Sequence, residues 1–375
     1  MDSHKPEEIN STEDASSIDL CMICYPYYPS KDTGRGHDRY IFELARNIAD
    51  GRSDIKVRLL HQGLSTGIIA AGMKLFRLLA DLLHAKEDIY HAISPMGGAA
   101  AVLMGKFPLI VTIHDLIPFN VSGYDYSWKY WFIRQCVNLC VKRCDAIVVP
   151  YNVTKDELVS RFSVPASKIY ITNHGVDHTT FYPCPSTVRT PGQVLYIGEV
   201  CRSKGVDSLI RAFSIVKQSV GEAELLIGGK RNIDQPMLEK LACDLGLKEV
   251  TFLGYVPENE LPRYYTSAAV MIFPSRYGFG LSTLEAMACA TPVIVGAVLD
   301  APEFLADAGI LVNPDDIDEI AESILRVLKD PLLREQLSAK ATERAKAFTW
   351  GKMAGETVKV YHDMLAKKAA RDASN

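Results

Sequence analysis

Segments of strand character alternate with segments of helical character along nearly the whole chain of 375 residues. Short apolar runs rich in β-branched residues are separated by stretches with helical periodicity, such as 37–49, 73–83 and 128–143. This alternation predicts parallel sheets with helices on both faces. The predicted strands are 20–24, 56–60, 89–92, 109–113, 146–149 and 169–171 in the first half, and 193–197, 224–227, 250–252, 270–273, 293–295 and 310–312 in the second.

The length of the chain predicts two domains, because single hydrophobic cores stop growing near about 250–300 residues. A segment with three prolines, 181–192, separates the two groups of strands and is typical of an interdomain linker. We therefore predict a disordered tail at 1–17, a first doubly wound domain at 18–182 and a second at 183–347. The last segment, 348–375, is predicted to form a helix that packs back on the first domain, followed by a short tail.

The composition excludes several classes of protein. The hydrophobic fraction of 48% and the net charge of −4 describe a globular protein without the basic surplus of a nucleic-acid-binding protein. No apolar run approaches the roughly 20 residues that span a bilayer, and the polar N-terminus lacks the pattern of a signal peptide. The nine cysteines show neither a disulfide framework nor zinc-ligand spacing. Together these features predict a cytoplasmic protein without a bound metal.

The most informative loop follows the predicted strand 270–273. Its two glycines, Gly278 and Gly280, precede a helical pattern that begins near Leu281 and contains Glu285. A glycine loop at a helix N-terminus leaves backbone N–H groups unpaired, which makes a site for an anion. The carboxylate of Glu285 could bind hydroxyl groups near that anion, and this combination indicates a nucleotide or a nucleotide-sugar. A tight turn with a solvent-facing glutamate is the alternative interpretation.

Four further segments lie at predicted strand ends. Arg202 and Lys204, beside a predicted helix N-terminus, are suited to neutralise a departing diphosphate; a solvated basic turn is the alternative. His114 follows a strand and faces a ligand cleft by position, or else is a capped loop histidine. The glycines of 33–39 would let the backbone approach a phosphate or a sugar. Tyr255 follows a strand end where backbone atoms could recognise a base.

Together these segments resemble the family-4 glycosyltransferases, which are retaining enzymes of the GT-B fold. The resemblance covers 18 to about 365 and is strongest in 278–295 and in 252–265, which matches the family pattern F-x-G-x-V-x-x-x-x-L-x-x-x-Y. The segment 174–183 is similar to the pattern N-G-V-D followed by F-x-P, and 348–350 is similar to F-S-W. The resemblance implies an α/β chain of two Rossmann-like, doubly wound domains that face each other across a cleft.

The resemblance also implies roles for individual residues. Arg202 and Lys204 would hold the diphosphate of a sugar donor, and Glu285 would bind the ribose hydroxyls. His114 would contact the transferred sugar. The other donor-binding positions that the resemblance implies are Gly36, Tyr255, Val256, Tyr277, Gly278, Phe279, Gly280 and Leu281. The family needs no metal and no cofactor, since the nucleoside-diphosphate sugar is a co-substrate, and its proposed front-face substitution uses no protein nucleophile.

Three positions depart from the family pattern. Tyr277 stands where the family usually has the first of two glutamates separated by seven residues. A phenol is neutral at pH 7 and cannot replace a carboxylate as a charged acceptor. Glu199 replaces an arginine, and Ser282 stands where proline is common. Either the recognition of the donor sugar differs here, or catalysis is weaker.

Aromatic and cationic residues mix in two stretches of the first predicted domain, 66–79 and 124–134. Such stretches are typical of a surface that lies on an anionic bilayer or binds a lipid-linked acceptor. A core helix with an amphipathic exposed edge is the alternative, and it is the interpretation that we favour.

The sequence therefore predicts a cytoplasmic, metal-independent, retaining hexosyltransferase of glycan biosynthesis. We expect a UDP- or GDP-sugar donor and a glycan or lipid-linked acceptor, with peripheral contact to the cytoplasmic face of the membrane as a further expectation. The main alternative is a catalytically weak or non-catalytic partner subunit that binds a nucleotide-sugar, because of Tyr277 and Glu199. A nucleotide-sugar epimerase is a third alternative. A dehydrogenase is disfavoured, because neither half has the pattern GxGxxG after its first strand.

Overall fold

The computed structural model describes residues 17–29, 36–52, 54–61, 68–120, 128–278 and 280–374, and side chains at 68–71 are not described. Within these ranges the chain divides into two compact units. One unit runs to His174 and continues from Trp350, and the other comprises Gly175–Thr349. From the sequence we predicted the corresponding domain boundaries after residue 182 and after residue 347.

Each unit is built on one parallel sheet. In the first unit the described strands are β1 (Ile18–Ile23), β2 (Ile55–Leu60), β3 (Ile89–Ala92), β4 (Leu109–Thr112), β5 (Ala146–Val149) and β6 (Ile169–Ile171). In the second unit they are β7 (Thr190–Ile197), β8 (Glu224–Gly228), β9 (Val250–Gly254), β10 (Ala268–Phe273), β11 (Val293–Gly296) and β12 (Ile310–Val312). The sheets have the orders β2-β1-β3-β4-β5-β6 and β12-β11-β10-β7-β8-β9. The predicted α/β class with doubly wound parallel sheets is confirmed.

Helices connect the strands and supply the apolar faces that cover the sheets. Up to β6 the helices are α1 (Gly36–Gly51), α2 (Ile68–His84), α3 (Pro95–Leu103), α4 (Ile117–Asn120), α5 (Trp128–Arg143) and α6 (Asn152–Phe162). After β7 they are α7 (Val206–Ser219), α8 (Gln235–Asp244), α9 (Leu261–Ser267), α10 (Leu281–Ala288), α11 (Ala301–Leu305), α12 (Ile317–Lys329), α13 (Pro331–Ala345) and α14 (Trp350–Asp372).

Both sheets reverse their strand order once, and this reversal determines which loops converge. In the first sheet the reversal lies between β1 and β3, and in the second it lies between β7 and β10. Open α/β sheets bind ligands beyond the carboxyl ends of their strands at such a reversal. The loops after β1 and β3, and those after β7 and β10, therefore flank the reversal within their own unit.

Residues of α2, α3, α5 and α6 share one apolar core with the first sheet. The small residues of α3 allow α5 to approach closely, since a Cβ atom at Gly98 would lie 2.7 Å from Cys140 Sγ and 2.9 Å from a methyl group of Val111. Cys136 and Cys144 are buried in the same core as free thiols. Cys136, Cys140 and Cys144 recur every four residues along α5 and just after it, and this spacing places all three thiols in the core.

The C-terminal helix α14 packs on α1 within the first unit. The hydroxyl oxygen of Tyr361 in α14 lies 2.8 Å from Nδ1 of His91 in β3, and Nε2 of His91 lies 2.8 Å from Oγ1 of Thr112 in β4. His91 is fully buried, and this burial lowers its pKa to about 3. A neutral imidazole has one donor and one acceptor nitrogen. Both are used here, so His91 connects the helix to the middle of the sheet.

Candidate functional site

The loop after β7 lies at the strand-order reversal of the second sheet. It contains a short 3₁₀ helix, Arg202–Lys204, and enters α7 through Gly205. Gly205 has a φ of 74°, and a Cβ atom there would lie 1.9 Å from the carbonyl oxygen of Pro274. Only glycine adopts this conformation freely and leaves room for the facing carbonyl. The sequence therefore brings the loops after β7 and β10 into direct contact.

Lys204 joins the same two loops through its ammonium group. Its Nζ donates a hydrogen bond of 3.0 Å to the carbonyl oxygen of Tyr277, and the backbone N–H of Arg276 donates one of 3.1 Å to Ser203. Ser275 Oγ donates to the same Tyr277 carbonyl at 2.6 Å. An ammonium group has three donors, so Lys204 can bind an anion while it keeps its bond to Tyr277.

Arg276 also holds the two loops together, and the sequence interpretation did not single it out. Its guanidinium donates to Asp315 at 2.7 Å, to Asp207 at 3.1 Å and to Ser208 Oγ at 2.9 Å. It also donates to the backbone carbonyl of Arg202. Burial alone would lower the pKa of Arg276, but the two carboxylates outweigh this effect and raise the pKa. Its partners are distant in the sequence, which is why the local pattern gave no indication of them.

The helix after the glycine loop begins at Leu281, close to where the sequence placed it. Gly280 precedes this helix with a φ of 74°, and a Cβ atom there would lie 2.8 Å from the ring of Phe273. No described side chain caps the first turn of α10. The N–H groups of that turn and the helix dipole therefore favour an anion next to Gly278 and Gly280. Phe279, a predicted donor-binding residue, lies outside the described residues.

Glu285 lies within α10 and is only 7% exposed. Its Oε2 accepts a hydrogen bond of 2.9 Å from the hydroxyl of Tyr265, a fully buried residue of α9. The carbonyl of Tyr265 in turn accepts a bond of 2.7 Å from Thr291 Oγ1. These bonds fix the orientation of the carboxylate, a role for Tyr265 that the sequence did not reveal.

Tyr255 and Val256 directly follow β9, which is the edge strand of the second sheet. Val256 is buried, whereas Tyr255 is 50% exposed, with Nζ of Lys230 at 5.6 Å from its ring centroid. Gly229 N–H donates a bond of 2.8 Å to the carbonyl of Gly254 and so joins the loops after β8 and β9. A half-exposed ring beside a cation can stack on a planar base.

Glu199, which stands in place of the family's arginine, is bonded within its own unit. Its carboxylate accepts a hydrogen bond from Asn232, and its carbonyl accepts one of 2.7 Å from the hydroxyl of Tyr196. The backbone N–H of Arg202 donates to Asp234 at 3.0 Å. These bonds connect the loop after β8 to the loop after β7. Glu199 therefore accepts a hydrogen bond from Asn232 that an arginine, which has no acceptor, could not accept.

In the first unit His114 lies two residues after the end of β4, past the strand end as predicted. The ring of His114 is nearly perpendicular to those of His37 and Tyr40, with centroid distances of 4.6 Å and 4.8 Å. It stacks on the ring of His174 at 5.6 Å. Burial, and then the neighbouring histidines, lower the pKa of His114 well below its usual value. Gly36 is exposed at the first position of α1, next to His37.

The described candidate residues belong to two groups, one in each unit. In the second unit, Arg202, Lys204, Tyr277 and Leu281 lie at the strand-order reversal.

Residues 33–35, 66–67 and 124–127 of the predicted stretches lie outside the described ranges. The described residues include no group of three metal-ligating side chains. None of the described helices has the length and apolar character that crossing a membrane requires.

Comparison with known proteins decides the family. The model of Glycosyltransferase Family 4 matches residues 33–180, and the model of Glycosyl transferases group 1 matches residues 186–344. An uncharacterised glycosyltransferase of Methanocaldococcus jannaschii is 32% identical over 299 residues, which are 75% of this chain and 75% of that protein. The chain belongs to the family-4 glycosyltransferases. The resemblance inferred from its motifs is thus confirmed, and the chain is a glycosyltransferase.

Other relatives of this glycosyltransferase differ in their substrates. The O-antigen chain mannosyltransferase B of Escherichia coli is 28% identical over 67% of this chain and 69% of its own. Sucrose-phosphate synthase from Thermosynechococcus elongatus has a TM-score of 0.80 at 23% identity and covers 93% of this chain and 100% of its own. HepE of Anabaena, solved with UDP-glucose, has a TM-score of 0.74 at 16% identity and covers 92% of this chain and 100% of its own. These structural neighbours establish the GT-B fold.

Proposed function

We propose that this glycosyltransferase transfers a hexose from a nucleoside-diphosphate sugar to a hydroxyl acceptor, with retention at the anomeric carbon and without a metal ion. The observation that carries the proposal is the meeting of Lys204 with the glycine loop before α10 at one strand-order reversal. A cation beside backbone N–H donors stabilises the charge that develops on a departing diphosphate.

The other candidates fit the remaining parts of such a donor. Arg202 would share the diphosphate with Lys204, and Glu285, oriented by Tyr265, would bind the ribose hydroxyls. Tyr255 would lie against the base. The UDP-glucose complex of HepE supports a UDP-sugar donor, with a GDP-sugar as the alternative. The mannosyltransferase relative supports a glycan acceptor.

The family resemblance favours a front-face substitution. The bond between the anomeric carbon and the β-phosphate oxygen breaks, and the acceptor oxygen forms its bond to that carbon on the same face. The departing phosphate takes the proton of the acceptor hydroxyl. In this scheme the chain needs no nucleophile, so its contributions are charge stabilisation by Lys204 and the N–H groups of α10, and positioning.

A thermal-shift screen against UDP, GDP and ADP sugars would identify the donor, because a ligand at 100 times its Kd stabilises the folded state by about 2.7 kcal/mol. With that donor, we expect Lys204→Ala and Glu285→Gln each to lower kcat/KM by about 100-fold or more. Lys204→Ala should also weaken UDP binding. Lys248→Ala, which changes an exposed lysine of the same unit, is the matched control. Wild-type turnover in both variants would contradict the proposal, and donor binding without transfer to any acceptor would indicate a non-catalytic protein.

We further propose that the first unit contacts an anionic bilayer that carries a lipid-linked acceptor. The buried half of α5 belongs to the core, as we favoured, but its first turn and the outer side of α2 expose large apolar side chains. These are Met73, Phe76 and Leu83 on α2, and Trp128 and Trp131 on α5, with Arg77 and Lys129 exposed among them. Both helices pack on α3. Apolar side chains interleaved with cations favour a surface of anionic lipid.

Co-sedimentation with vesicles tests this contact. We expect the wild-type chain to sediment with phosphatidylglycerol-containing vesicles and to remain in solution with pure phosphatidylcholine. The double variant Phe76→Ser, Trp131→Ser should bind about tenfold more weakly. Leu332→Ser, at a position 64% exposed in the second unit, controls for a general loss of surface hydrophobicity. A wild-type chain that stays in solution with both kinds of vesicle would contradict the proposal.

A further inference from the structure

A cavity of about 510 Å³ lies in the second unit beyond the carboxyl ends of β10, β11 and β12. Arg276 and Tyr277, from the loop after β10, form one part of its wall. The apolar part of the wall comes from Ala297 and Val298 after β11 and from Pro314 after β12. Sites for small molecules usually have volumes of about 300–1,000 Å³. The cavity is therefore large enough to hold a sugar ring.

Close backbone contacts hold the loops of this cavity together. A Cβ atom at Gly296, the last residue of β11, would lie 2.5 Å from the carbonyl oxygen of Ser275. Glycine therefore lets the loops after β10 and β11 approach this closely. The backbone N–H of Ala297 donates a hydrogen bond of 2.7 Å to the carbonyl of Val312, the last residue of β12. The backbone itself thus gives the cavity its shape.

Arg276 connects the cavity to the strand-order reversal between β7 and β10. Its Nη1 donates to the backbone carbonyl of Arg202, and its Nε donates to Asp315 in the cavity wall at 2.7 Å. Tyr255, the candidate for contact with the base, follows β9 at one edge of the sheet, whereas the cavity lies towards the other edge, at β10 to β12. A donor with its base at β9 and its diphosphate at the reversal would therefore direct its sugar towards the cavity.

Two carboxylates in the wall are oriented by hydrogen bonds. Oδ1 of Asp315 accepts the bond from Arg276. Oε2 of Glu319, in the first turn of α12, accepts a bond of 2.8 Å from the backbone N–H of Asn313. Each of these bonds uses one oxygen of a carboxylate that has two. The second oxygen of each carboxylate can accept a hydrogen bond from a hydroxyl group of a ligand.

The charges of the wall favour an uncharged ligand. The positive charge of Arg276 is already matched by Asp207, at 3.1 Å, and by Asp315, at 2.7 Å. Glu319 adds a further negative charge, so an anion in the cavity would be repelled. A sugar combines hydroxyl donors with apolar C–H faces, and Val298 and Pro314 suit those faces. The lining therefore matches an uncharged sugar ring.

We propose that this cavity binds the sugar that is transferred, and that Glu319 and Asp315 accept hydrogen bonds from its hydroxyl groups. The phenol of Tyr277 is neutral at pH 7, so these carboxylates supply the charged acceptors that residue 277 does not. Recognition of the sugar thus moves from the loop after β10 to the loop after β12 and the first turn of α12. The inference rests on the proposed function and restricts its substrate class to uncharged hexoses with free hydroxyl groups.

Calorimetry of the full chain with a nucleotide and its sugar conjugate tests the role of Glu319. The pairs are UDP with UDP-glucose and GDP with GDP-mannose. Glu319→Gln keeps an oxygen for the N–H of Asn313 but replaces a charged acceptor by a neutral one. We expect the Kd of the sugar conjugate to rise about tenfold, while the Kd of the nucleotide alone stays within about twofold. Asp318→Asn changes an exposed acid of the same turn that is not part of the cavity wall, and it should leave both values unchanged.

A second variant tests the cavity without a change of charge. Ala297→Phe places a ring in the cavity and retains both carboxylates. We expect this variant to bind the sugar conjugate about tenfold more weakly and the nucleotide as the wild type does, because only the sugar meets the added ring. Ala297→Ser leaves the cavity open and should bind both ligands normally. Normal binding of the nucleotide also shows that each variant is folded.

A charged sugar gives an independent measurement. UDP-glucuronate differs from UDP-glucose by a carboxylate, and GDP-mannuronate differs from GDP-mannose in the same way. We expect the wild type to bind the uronate about tenfold more weakly than the hexose, and Glu319→Gln to reduce this difference. Equal binding of uronate and hexose by the wild type would contradict the assignment of an uncharged sugar.

Two further outcomes separate this inference from the proposed function. If Glu319→Gln and Ala297→Phe weaken binding of the nucleotide and of its sugar conjugate equally, or weaken neither, the inference is overturned while the proposed function stands. If the wild-type chain binds neither pair, the proposed function is overturned and the inference with it.

Discussion

Replacement of His91 should remove a pH-dependent part of the stability of the first unit. His91 is fully buried between Tyr361 and Thr112, and both of its ring nitrogens are hydrogen-bonded. His91→Gln keeps an amide donor and an acceptor in this position but cannot titrate. The variant therefore isolates the effect of protonation from the loss of packing, since packing affects stability equally at every pH.

The magnitude follows from the lowered pKa of His91. In the unfolded chain this histidine titrates near its usual pKa of 6.5, whereas burial lowers the folded-state pKa to about 3. Below pH 6.5 the unfolded state binds a proton that the folded state does not, so stability is complete above pH 6.5 and falls as the pH decreases towards 3. At pH 5 the difference amounts to about 2 kcal/mol for this one residue.

Urea unfolding followed by tryptophan fluorescence measures this difference. All three tryptophans, Trp128, Trp131 and Trp350, belong to the unit that contains His91, so their fluorescence reports on that unit. We expect the loss of stability between pH 7 and pH 5 to be about 2 kcal/mol smaller in His91→Gln than in the wild type. His84→Gln, which changes an exposed histidine of α2, should keep the full loss of stability between pH 7 and pH 5. An equal loss in His91→Gln and the wild type would refute the reasoning that His91 remains neutral in the folded state.

Three further predictions concern close contacts and one ion-pair cluster. Gly205→Ala should destabilise the second unit by about 2–4 kcal/mol in urea unfolding followed by circular dichroism, because its Cβ atom would meet a backbone carbonyl at 1.9 Å. Gly246→Ala, with a φ of 69° and nothing within 4 Å, should cost only about 1 kcal/mol, and equal losses would argue against the clash. Gly98→Ala should destabilise the first unit by about 1–3 kcal/mol in unfolding followed by fluorescence. Addition of Cys140→Ala to this variant should recover part of the lost stability. No recovery would contradict the contact between position 98 and Cys140. Arg276→Met should weaken UDP binding by about tenfold in calorimetry, because the loops lose their link to Asp207 and Asp315, whereas the exposed control Arg263→Met should bind UDP as the wild type does.

The sequence by itself determined the class of the fold and the positions of the loops that matter. Strand and helix patterns are local, so 89–92, 146–149, 169–171 and 310–312 were predicted with the bounds that the structure has. Glycine loops also carry local information, because a positive φ restricts which residues are tolerated. For these reasons the loop before α10 could be recognised without any knowledge of strand order.

Only the tertiary structure decided which of these loops meet and which atoms do the binding. The order of the strands brings Lys204 to a residue 73 positions away, and the partner there is the backbone carbonyl of Tyr277. The sequence had indicated the phenol of Tyr277 as the group of interest, rather than its backbone carbonyl. Arg276 and Tyr265 gained their roles from partners in other loops and helices, and burial, followed by neighbouring histidines, lowers the pKa of His114. Burial and long-range pairing set the charge and orientation of these groups, and neither is encoded in a short stretch of sequence.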